Sequence, residues 1–343
     1  MPRCVFKKGK IHSISIALPN NELSLDNEID KFYNGDIKKL NRIKKNTGLN
    51  KRYISKNLTS LDLCTRASRN LIQNLKFDTN KIDALIFITQ TPNYLQPNNA
   101  NILHGKLNLN KDCACFDVNL GCSGYVYGMW LAFMMIECGL NYVLLCAGDT
   151  LSKCVSKLDS NTAPLFGDAG SATLIKSTKL DSNSYFILHS DGSGYENIIF
   201  QNSGFKKDEK YKNYLYMDGA EVFNFSLKVG PQSIEEILSY SNKDINDIDY
   251  IFFHQANAFI IQNIVKKLNI DSNKAPCKSI SKYGNTSSSS IPLAICDFYK
   301  ENKIEKNLNV ILSGFGVGLS WGSAFINLNR DIKVEIDFIK EEN

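Results

Sequence analysis

The strongest constraint on the fold of this chain is an internal repeat with a nearly equal spacing of about 166 residues between its matching segments. Residues 82–88 (IDALIFI) resemble residues 248–254 (IDYIFFH) at that spacing. Residues 141–148 (NYVLLCAG) resemble residues 308–314 (LNVILSG), and the closing glycines of these two segments are again 166 positions apart. Because self-similarity at one spacing is typical of a repeated structural unit, the pattern predicts a duplicated βα unit.

A short turn of glycine and small polar residues lies between the paired segments of each half. It is residues 121–124 (GCSG) in the first half and residues 284–287 (GNTS) in the second, and each turn precedes a helical segment. If the two halves pack about a pseudo-twofold axis, the two turns should face each other near it. The repeat therefore predicts two similar halves, residues 1–175 and residues 176–343.

Short β-branched runs alternate with longer helical segments along the whole chain, which is typical of a layered α/β protein. The predicted strands are residues 11–16, 84–89, 114–119, 142–147, 250–254, 310–313 and 323–328. The predicted helices are residues 61–75, 100–107, 124–138, 222–239, 256–268 and 288–299. Residues 195–216 are polar, rich in lysine and irregular, and are predicted to form a surface excursion.

Composition argues against several classes of protein, namely nucleic-acid-binding proteins, membrane-inserted proteins and small disulfide scaffolds. The net charge of +5 is mild, and the basic residues do not gather in one nucleic-acid-binding motif, so no nucleic-acid partner is predicted. The most apolar stretch, residues 126–136, is too short to span a bilayer, so no membrane insertion is predicted. Ten cysteines spread over 343 residues do not resemble a small disulfide scaffold and favour a cytoplasmic protein.

Cys122 stands between a predicted buried strand and an apolar helical segment. A thiol at a helix N-terminus is close to the positive end of the helix dipole and to free backbone N–H groups. Both favour the thiolate, so the position predicts a lowered thiol pKa and a nucleophile. The flanking Gly121 and Gly124 permit a tight turn and the close approach of a substrate.

Two further polar residues stand at positions where a ligand could reach them. His254 ends a predicted strand, and open α/β sheets bind ligands at the carboxyl ends of their strands. Asn285 lies in the small-residue turn of the second half. Taken singly, His254 is also compatible with a hydrogen-bonded core histidine, and Asn285 with a turn or cap residue.

A glycine-rich segment, residues 313–323 (SGFGVGLSWGS), follows the last strand of the repeat. Glycines at alternate positions let backbone amides point into a cavity, where they can bind an oxyanion. The segment lacks the P-loop lysine and the spacing of a dinucleotide-binding motif. Nucleotide binding is therefore not indicated here.

Cys122, His254 and Asn285 in this order resemble the β-ketoacyl-acyl-carrier-protein synthase III family of the thiolase superfamily. Further matches to the same family lie between about residues 11 and 328, over nearly the whole chain. The motifs that carry the resemblance are Gly121-Cys122-Ser123-Gly124, His254-Gln255-Ala256-Asn257, Gly284-Asn285-Thr286-Ser287, Gly314-Phe315-Gly316 and Trp321-Gly322-Ser323.

The resemblance implies a five-layered αβαβα fold built from two similar halves, usually assembled as a homodimer. It also implies a decarboxylative Claisen condensation without a cofactor or metal. In that chemistry Cys122 takes an acyl group from a thioester, and malonyl-acyl carrier protein loses CO₂ and attacks it. By the same resemblance His254 and Asn285 stabilise the developing enolate, and the N–H of Cys122 with one near Gly316 or Val317 forms an oxyanion hole.

The chain differs from better-known members of this family at the positions where those members bind coenzyme A. By the same resemblance, the adenine-holding positions correspond here to Arg42 and Asn46, and a nucleotide-clamping arginine to Ser160. An acyl group delivered on acyl carrier protein is therefore as plausible a donor as coenzyme A. Lys266 and Lys267 match the family's basic docking surface for that carrier, although an ordinary solvated helix face explains them equally well.

Three other functions have to be weighed for some of these residues. A thiolase-fold acyltransferase that forms an ester or amide without decarboxylation is the main alternative, and Asn285 argues against it because a carboxylate there would suit proton abstraction better. A papain-like Cys-His-Asn hydrolase would place its cysteine near the mature N-terminus. A zinc site at Cys113, Cys115 and Cys122 is disfavoured because no Cys-x-x-Cys pair exists.

Overall fold

The computed structural model describes residues 2–179, 183–210 and 213–341. Its strands in these ranges are β1 Arg3–Phe6, β2 Gly9–Pro19, β3 Glu22–Ser24, β4 Lys51–Tyr53, β5 Ala84–Ile88, β6 Ala114–Val118, β7 Tyr142–Asp149, β8 Ala169–Ser177, β9 Ser184–Ser190, β10 Ile198–Ile199, β11 Tyr216–Met217, β12 Tyr250–Phe253, β13 Leu308–Gly316, β14 Ser320–Leu328 and β15 Lys333–Ile339. Its α-helices are α1 Ile29–Tyr33, α2 Ile37–Thr47, α3 Ser60–Leu75, α4 Asn99–Leu107, α5 Gly124–Glu137, α6 Gly219–Ser241, α7 Ala258–Leu268, α8 Lys278–Tyr283 and α9 Ser290–Glu301.

Two mixed sheets form the framework. The larger has six strands in the order β15-β2-β8-β7-β5-β6, and the smaller has five in the order β1-β9-β14-β13-β12. The repeated segments occupy matching places, since β5 pairs with β7 in parallel and β12 pairs with β13 in parallel. The carboxyl ends of these four strands lie on the side of the sheets where Cys122 and His254 are found.

Five layers result from the way the helices cover the sheets. Helices α5 and α9 lie between the two sheets and contact both. Helices α3 and α4 cover the outer face of the six-stranded sheet. Helix α6 covers the five-stranded sheet, and α7 packs beside α6 in the same hydrophobic cluster. The predicted αβαβα arrangement is therefore confirmed.

The central helix α5 is buried because it is apolar on nearly every side. Tyr125, Val126, Met129 and Phe133 are at most 1% exposed and belong to the core between the sheets. A helix that is apolar all round is stable only when it is enclosed in this way. Its enclosure fixes the turn before it, which carries Cys122.

The terminal strands are exchanged between the two sheets. β1, near the start of the chain, pairs with β9 in the five-stranded sheet, and β15, near its end, pairs with β2 in the six-stranded sheet. The predicted boundary between residues 175 and 176 lies just before the end of β8. The division into two halves stays a prediction, and the exchange shows that each sheet draws strands from both.

The predicted repeat segments and helices coincide with observed elements to within a few residues. The surface excursion predicted at residues 195–216 is only partly right, because β10 and β11 pair with each other there and adjoining side chains line a cavity. Residues 211 and 212 of that segment lie outside the described ranges.

Candidate active site

The three residues singled out in the sequence lie around one cavity. It has a volume of about 370 Å³ and is lined by Cys122, His254 and Asn285 together with Gly316 and Val317. Its outer walls are largely apolar. They include Leu151, Leu165, Phe166, Ile198, Leu215, Met217, Val222, Phe223 and Ile260. The cavity thus combines a polar end with an apolar channel, as binding sites for small ligands generally do.

Cys122 lies two residues before the start of α5, in a turn closed by the hydrogen bond from the Gly124 N–H to the Gly121 carbonyl (2.7 Å). Burial raises the pKa of the Cys122 thiol to about 11. Hydrogen bonds from the N–H groups of Val317 and of Cys122 itself oppose this shift, while Asp149 adds to it. The prediction of a lowered pKa was therefore wrong, because desolvation outweighs the helix N-terminus.

The glycine-rich segment is packed against Cys122. A Cβ on Gly316 would lie 2.5 Å from the Cβ of Cys122 and 2.8 Å from its sulfur, so only glycine fits at this position. The next residue, Val317, directs its N–H at the same sulfur. Val317 and Cys122 are thus the two residues whose backbone donors converge on the thiol.

His254 is only 1% exposed and follows the last residue of β12. Its N–H continues the strand pairing by donating to the Ser313 carbonyl at 2.7 Å. Burial lowers the pKa of His254 to about 3, so the imidazole is neutral at physiological pH. The edge of its ring packs on Phe315, with the centroids 6.2 Å apart.

Ser290 is the hydrogen-bond partner of the His254 Nδ1. The Ser290 Oγ lies 2.7 Å from the His254 Nδ1, and the Gln255 N–H donates to that oxygen at 3.4 Å. A hydroxyl has one proton to donate, and Nδ1 is the acceptor in reach. We assign the hydroxyl proton to this bond, so that Nδ1 accepts and the imidazole proton is on Nε2.

Asn285 is 7% exposed and held by backbone bonds from the other half of the chain. Its N–H donates to the Leu165 carbonyl (2.9 Å), and its carbonyl accepts from the Gly167 N–H (3.0 Å). Within the turn, the Ser287 N–H donates to the Asn285 Oδ1 at 2.9 Å. Because the side-chain oxygen is engaged, the Nδ2 amide is the group left to donate to a ligand.

Asp149 is a fully buried carboxylate that sequence reasoning missed. It accepts from the Gln90 N–H at 2.7 Å and from the Ser288 hydroxyl at 2.7 Å. Gln90 in turn donates through Nε2 to the Ser287 hydroxyl at 2.9 Å. Asp149 therefore connects the first half to the turn that carries Asn285. Its place at the carboxyl end of the repeated strand β7 was the signal that could have found it.

Lys266 and Lys267 do not line the cavity. Both are exposed near the end of α7, and the Lys267 Nζ donates to the Leu227 carbonyl on α6 at 3.3 Å. Among the described residues, no group of three or more His, Cys, Asp or Glu side chains could hold a metal ion. No helix in the described ranges is both long and apolar enough to cross a membrane.

Comparison with known proteins identifies the family. The model for 3-oxoacyl-[acyl-carrier-protein] synthase III matches residues 116–193, and the model for the C-terminal part of that enzyme matches residues 238–328. A Campylobacter jejuni relative is 38% identical over 94% of both chains. The chain belongs to the 3-oxoacyl-[acyl-carrier-protein] synthase III family. The predicted family resemblance is confirmed, and the chain is a condensing enzyme of the acyltransferase class.

Other synthase III proteins agree with this assignment. The β-ketoacyl-[acyl-carrier-protein] synthase III of Clostridium perfringens is 38% identical over 83% of this chain and 90% of its own. The crystal structure of a 3-oxoacyl-(acyl-carrier protein) synthase from Burkholderia xenovorans superimposes with a TM-score of 0.93 at 35% identity, covering 98% of this chain and 99% of its own. The synthase III of Pseudomonas aeruginosa gives a TM-score of 0.85 at 26% identity, covering 94% and 99%.

Proposed function

We propose that this synthase III condenses an acyl group held on Cys122 with malonyl-acyl carrier protein, releasing CO₂ and a 3-oxoacyl-acyl carrier protein. The observation that carries the proposal is the convergence of Cys122, His254 and Asn285 on one cavity. The three residues come from distant parts of the chain and belong to both halves. A thiol, a neutral imidazole and a carboxamide suit a reaction that first stores an acyl group and then stabilises an enolate.

In the first half-reaction the Cys122 sulfur attacks a donor thioester. A new thioester forms on Cys122, and the donor's own sulfur leaves as a thiol. The exchange is balanced in protons, because Cys122 loses one and the departing thiol gains one. The N–H groups of Val317 and Cys122 already point at the sulfur and are suited to bind the oxyanion of the tetrahedral intermediate.

In the second half-reaction the malonyl thioester loses CO₂ and becomes an enolate. Its carbon attacks the acyl carbonyl, the bond to Cys122 breaks, and the released thiolate takes up a proton. The His254 Nε2–H and the Asn285 Nδ2–H are the donors proposed for the enolate oxygen. Both are neutral, so neither depends on pH in the physiological range, and each is expected to contribute about 3–4 kcal/mol.

The proposal is tested by separating the two half-reactions. Cys122→Ala should abolish acyl-enzyme formation, measured as added mass on the intact protein, while the exposed Cys138→Ala control should acylate normally. His254→Ala and Asn285→Ala should still acylate in part but should release ¹⁴CO₂ from malonyl-acyl carrier protein about 10²–10³-fold more slowly. Turnover of the wild-type enzyme without CO₂ release would instead favour transfer to an alcohol or amine.

The acyl donor is proposed to be carried on acyl carrier protein or on coenzyme A. Arg42 and Asn46 replace the tryptophan and arginine that hold the adenine in familiar members, so the usual contacts with coenzyme A are not supported. Lys266 and Lys267 on α7 are proposed to dock the acidic carrier. Such charged contacts raise the association rate more than the affinity.

A homodimer is proposed on the basis of strand β6. It is the last strand of the six-stranded sheet and pairs only with β5 among the described strands. Phe116 and Val118 on it are half-buried and apolar. An open apolar edge invites pairing with another copy about a twofold axis, which would cover it.

A cytoplasmic location is also proposed. All ten cysteines are free thiols, and Cys122 must stay reduced to act as a nucleophile. Such thiols persist in a reducing compartment.

A further inference from the structure

Two cysteines at the start of β6 lie side by side, and nothing in the proposed reaction uses them. Cys113 directly precedes β6, and Cys115 is the second residue of that strand. The Cys115 Sγ lies 3.9 Å from the Cys113 Sγ and 3.6 Å from the Cys113 carbonyl oxygen. Side chains two positions apart along an extended chain point to the same side, so the local backbone itself brings the two thiols together. We call Cys113 and Cys115 the β6 dithiol.

The β6 dithiol is within reach of small molecules in solution. Both cysteines are partly exposed, and they pack against the apolar cluster on the outer side of the six-stranded sheet. Phe116, the next residue of β6, belongs instead to the cluster between the two sheets. Pairing of β6 with a second copy, as proposed above, would engage the backbone groups of its edge, whereas side chains project from the faces of a sheet. Such pairing therefore does not by itself cover the two thiols.

Each thiol of the pair changes the ionisation of the other. The pKa of Cys115 is lowered to about 7, chiefly because the Cys113 thiol donates a hydrogen bond to the Cys115 thiolate. Partial burial opposes this effect, and the charge of His104 adds to it. The pKa of Cys113 is raised, first by the same hydrogen bond and then by burial and by the negative charges of Cys115 and Asp83. The pair therefore holds a thiolate at Cys115 beside a protonated thiol at Cys113.

Cys115 is expected to be more reactive than Cys122 in the resting protein. From the two pKa values, about 7 and about 11, roughly half of Cys115 is thiolate at pH 7 but only about one Cys122 in 10⁴. A thiolate of higher pKa is intrinsically the better nucleophile, here by roughly 60-fold, because the Brønsted slope is about 0.45. The larger thiolate fraction outweighs that factor, so Cys115 should react about 10²-fold faster.

We infer that the β6 dithiol is a redox-active site, which reduces hydrogen peroxide and forms a disulfide within the chain, with Cys115 as the attacking sulfur and Cys113 as the resolving one. An accessible, ionised thiol beside a second thiol is the arrangement typical of redox-sensing cysteines. The inference is independent of the proposed condensation, since it uses neither the active-site cavity nor any residue assigned to that reaction.

The reaction is balanced with hydrogen peroxide as the oxidant. The Cys115 thiolate attacks one peroxide oxygen, the O–O bond breaks, and the departing hydroxide takes up the proton that Cys115 released, which gives water and a sulfenic acid. The Cys113 sulfur then attacks the Cys115 sulfur, the S–O bond breaks, and hydroxide leaves with the Cys113 proton as a second water. Two thiols are thus oxidised to one disulfide while one peroxide is reduced to two waters.

The local structure permits the disulfide to close. Its two sulfurs must approach each other by roughly 2 Å, since a disulfide holds them about 2.0 Å apart. Cys113 lies in the turn before β6, where its N–H donates to the Asn110 carbonyl at 3.1 Å, and the pairing of β6 with β5 begins only at Ala114. Rotation of the Cys113 side chain is therefore expected to supply the approach without breaking the sheet.

The test follows the cysteines separately after the full-length protein has reacted with one equivalent of hydrogen peroxide at pH 7. Free thiols are then labelled with N-ethylmaleimide in denaturant, and cleavage before aspartate separates residues 112–116 from residues 117–148. We expect the first peptide to carry no label and to be lighter than its reduced form by two hydrogens. Cys122, in the second peptide, should still be labelled, and dithiothreitol should restore labelling of the first.

Single substitutions assign the two roles within the pair. Cys115→Ser should slow the consumption of peroxide at least tenfold. Cys113→Ser should still react but should stop at a sulfenic acid on Cys115, which dimedone traps as a stable adduct. The matched control is Cys138→Ser, which removes an exposed thiol elsewhere and should react as the wild-type protein does.

Three results would overturn the inference. They are a first peptide that stays fully labelled, oxidation of Cys122 or Cys138 before the β6 dithiol, and a disulfide that links two chains on a non-reducing gel. Because the measurement is a mass and not a turnover, failure of the condensation assay leaves it unaffected. A dithiol that stays reduced would in the same way leave the proposed function untouched.

Discussion

Burial and position have opposite effects on the pKa of the Cys122 thiol. It lies beside a helix N-terminus and two converging N–H groups, yet its pKa is about 11. A thioester on the same sulfur carries no charge and so avoids the cost of desolvating a thiolate. The site is therefore better suited to hold the acyl-enzyme than to hold a resting thiolate.

A pH dependence follows directly from this pKa. The thiol is protonated at pH 7, and its thiolate fraction grows about tenfold with each pH unit until the pH approaches 11. Alkylation of Cys122 by iodoacetamide, followed by peptide mass spectrometry, should therefore rise about tenfold per unit from pH 7 to pH 9. A plateau in this range would mean that the thiolate is stabilised after all, and the exposed Cys138 in the same sample checks the reagent.

Ser290 is expected to act on the reaction through His254 alone. In Ser290→Ala the Nδ1 loses its donor, so the Nε2–H form is no longer selected and the enolate loses part of its stabilisation. We expect malonyl decarboxylation to fall about fivefold while acylation of Cys122 is unchanged, because a hydrogen bond between neutral groups contributes roughly 1 kcal/mol. Nitrogen NMR of labelled histidine should show a mixed tautomer, and Ser290→Thr should restore both.

Equal losses in acylation and decarboxylation would instead assign Ser290 a purely structural role. The unchanged tautomer of His254 in Ser290→Ala would lead to the same conclusion.

At the scale of elements, the turn before α5 packs so closely on the end of β13 that a side chain at Gly316 has no room. Gly316→Ala would place a methyl group 2.5 Å from the Cys122 Cβ. Such overpacking costs about 1–3 kcal/mol and must displace either the sulfur or the strand end. We expect acylation to fall at least tenfold and the melting temperature to drop.

Gly105→Ala is the control for Gly316→Ala, because it lies in α4 with no atom within 4 Å of the added carbon. It should acylate normally and melt no lower than the parent. Normal acylation by Gly316→Ala would show that the turn around Cys122 is less tightly enclosed than its geometry indicates.

The repeated strands and the longer apolar helices could be predicted from the sequence, whereas strands β8, β9 and β15 and helix α2 were not predicted. Strands β5, β7, β12 and β13 carry the repeat and were found. Helix α2 was missed because Leu40 is its only buried residue, although Asp36 and Gly48 are ordinary signals for the start and end of a helix.

The long-range hydrogen bonds that position the side chains of the site could not be predicted from the local sequence. Asp149 bonds to Ser288, 139 residues away, and His254 bonds to Ser290, 36 residues away. The pKa of Cys122 was predicted in the wrong direction for a related reason. A local pattern shows the helix that follows, but it does not show how much of the molecule covers the sulfur.

At the scale of the molecule, the active site depends on both halves at once. The proposed nucleophile comes from the predicted first half and both proposed donors from the second. Asp149 links the first half to the turn that carries Asn285 through buried hydrogen bonds. The exchange of β1 and β15 between the two sheets is a second connection between the halves. Partial unfolding of either half is therefore expected to inactivate the whole site.

The same reasoning extends to the open edge of the six-stranded sheet, whose two end strands are β6 and β15. If β6 pairs with a second copy, Phe116→Asp introduces a charge into that interface, and burying it unpaired costs several kcal/mol. Light scattering should then give the mass of one chain, 38.5 kDa, for Phe116→Asp and about twice that for the parent. Phe338→Asp, on β15 at the opposite edge, is the matched control and should remain dimeric. A monomeric parent, or a dimeric Phe116→Asp with an unchanged dissociation constant, would place any interface elsewhere on the molecule.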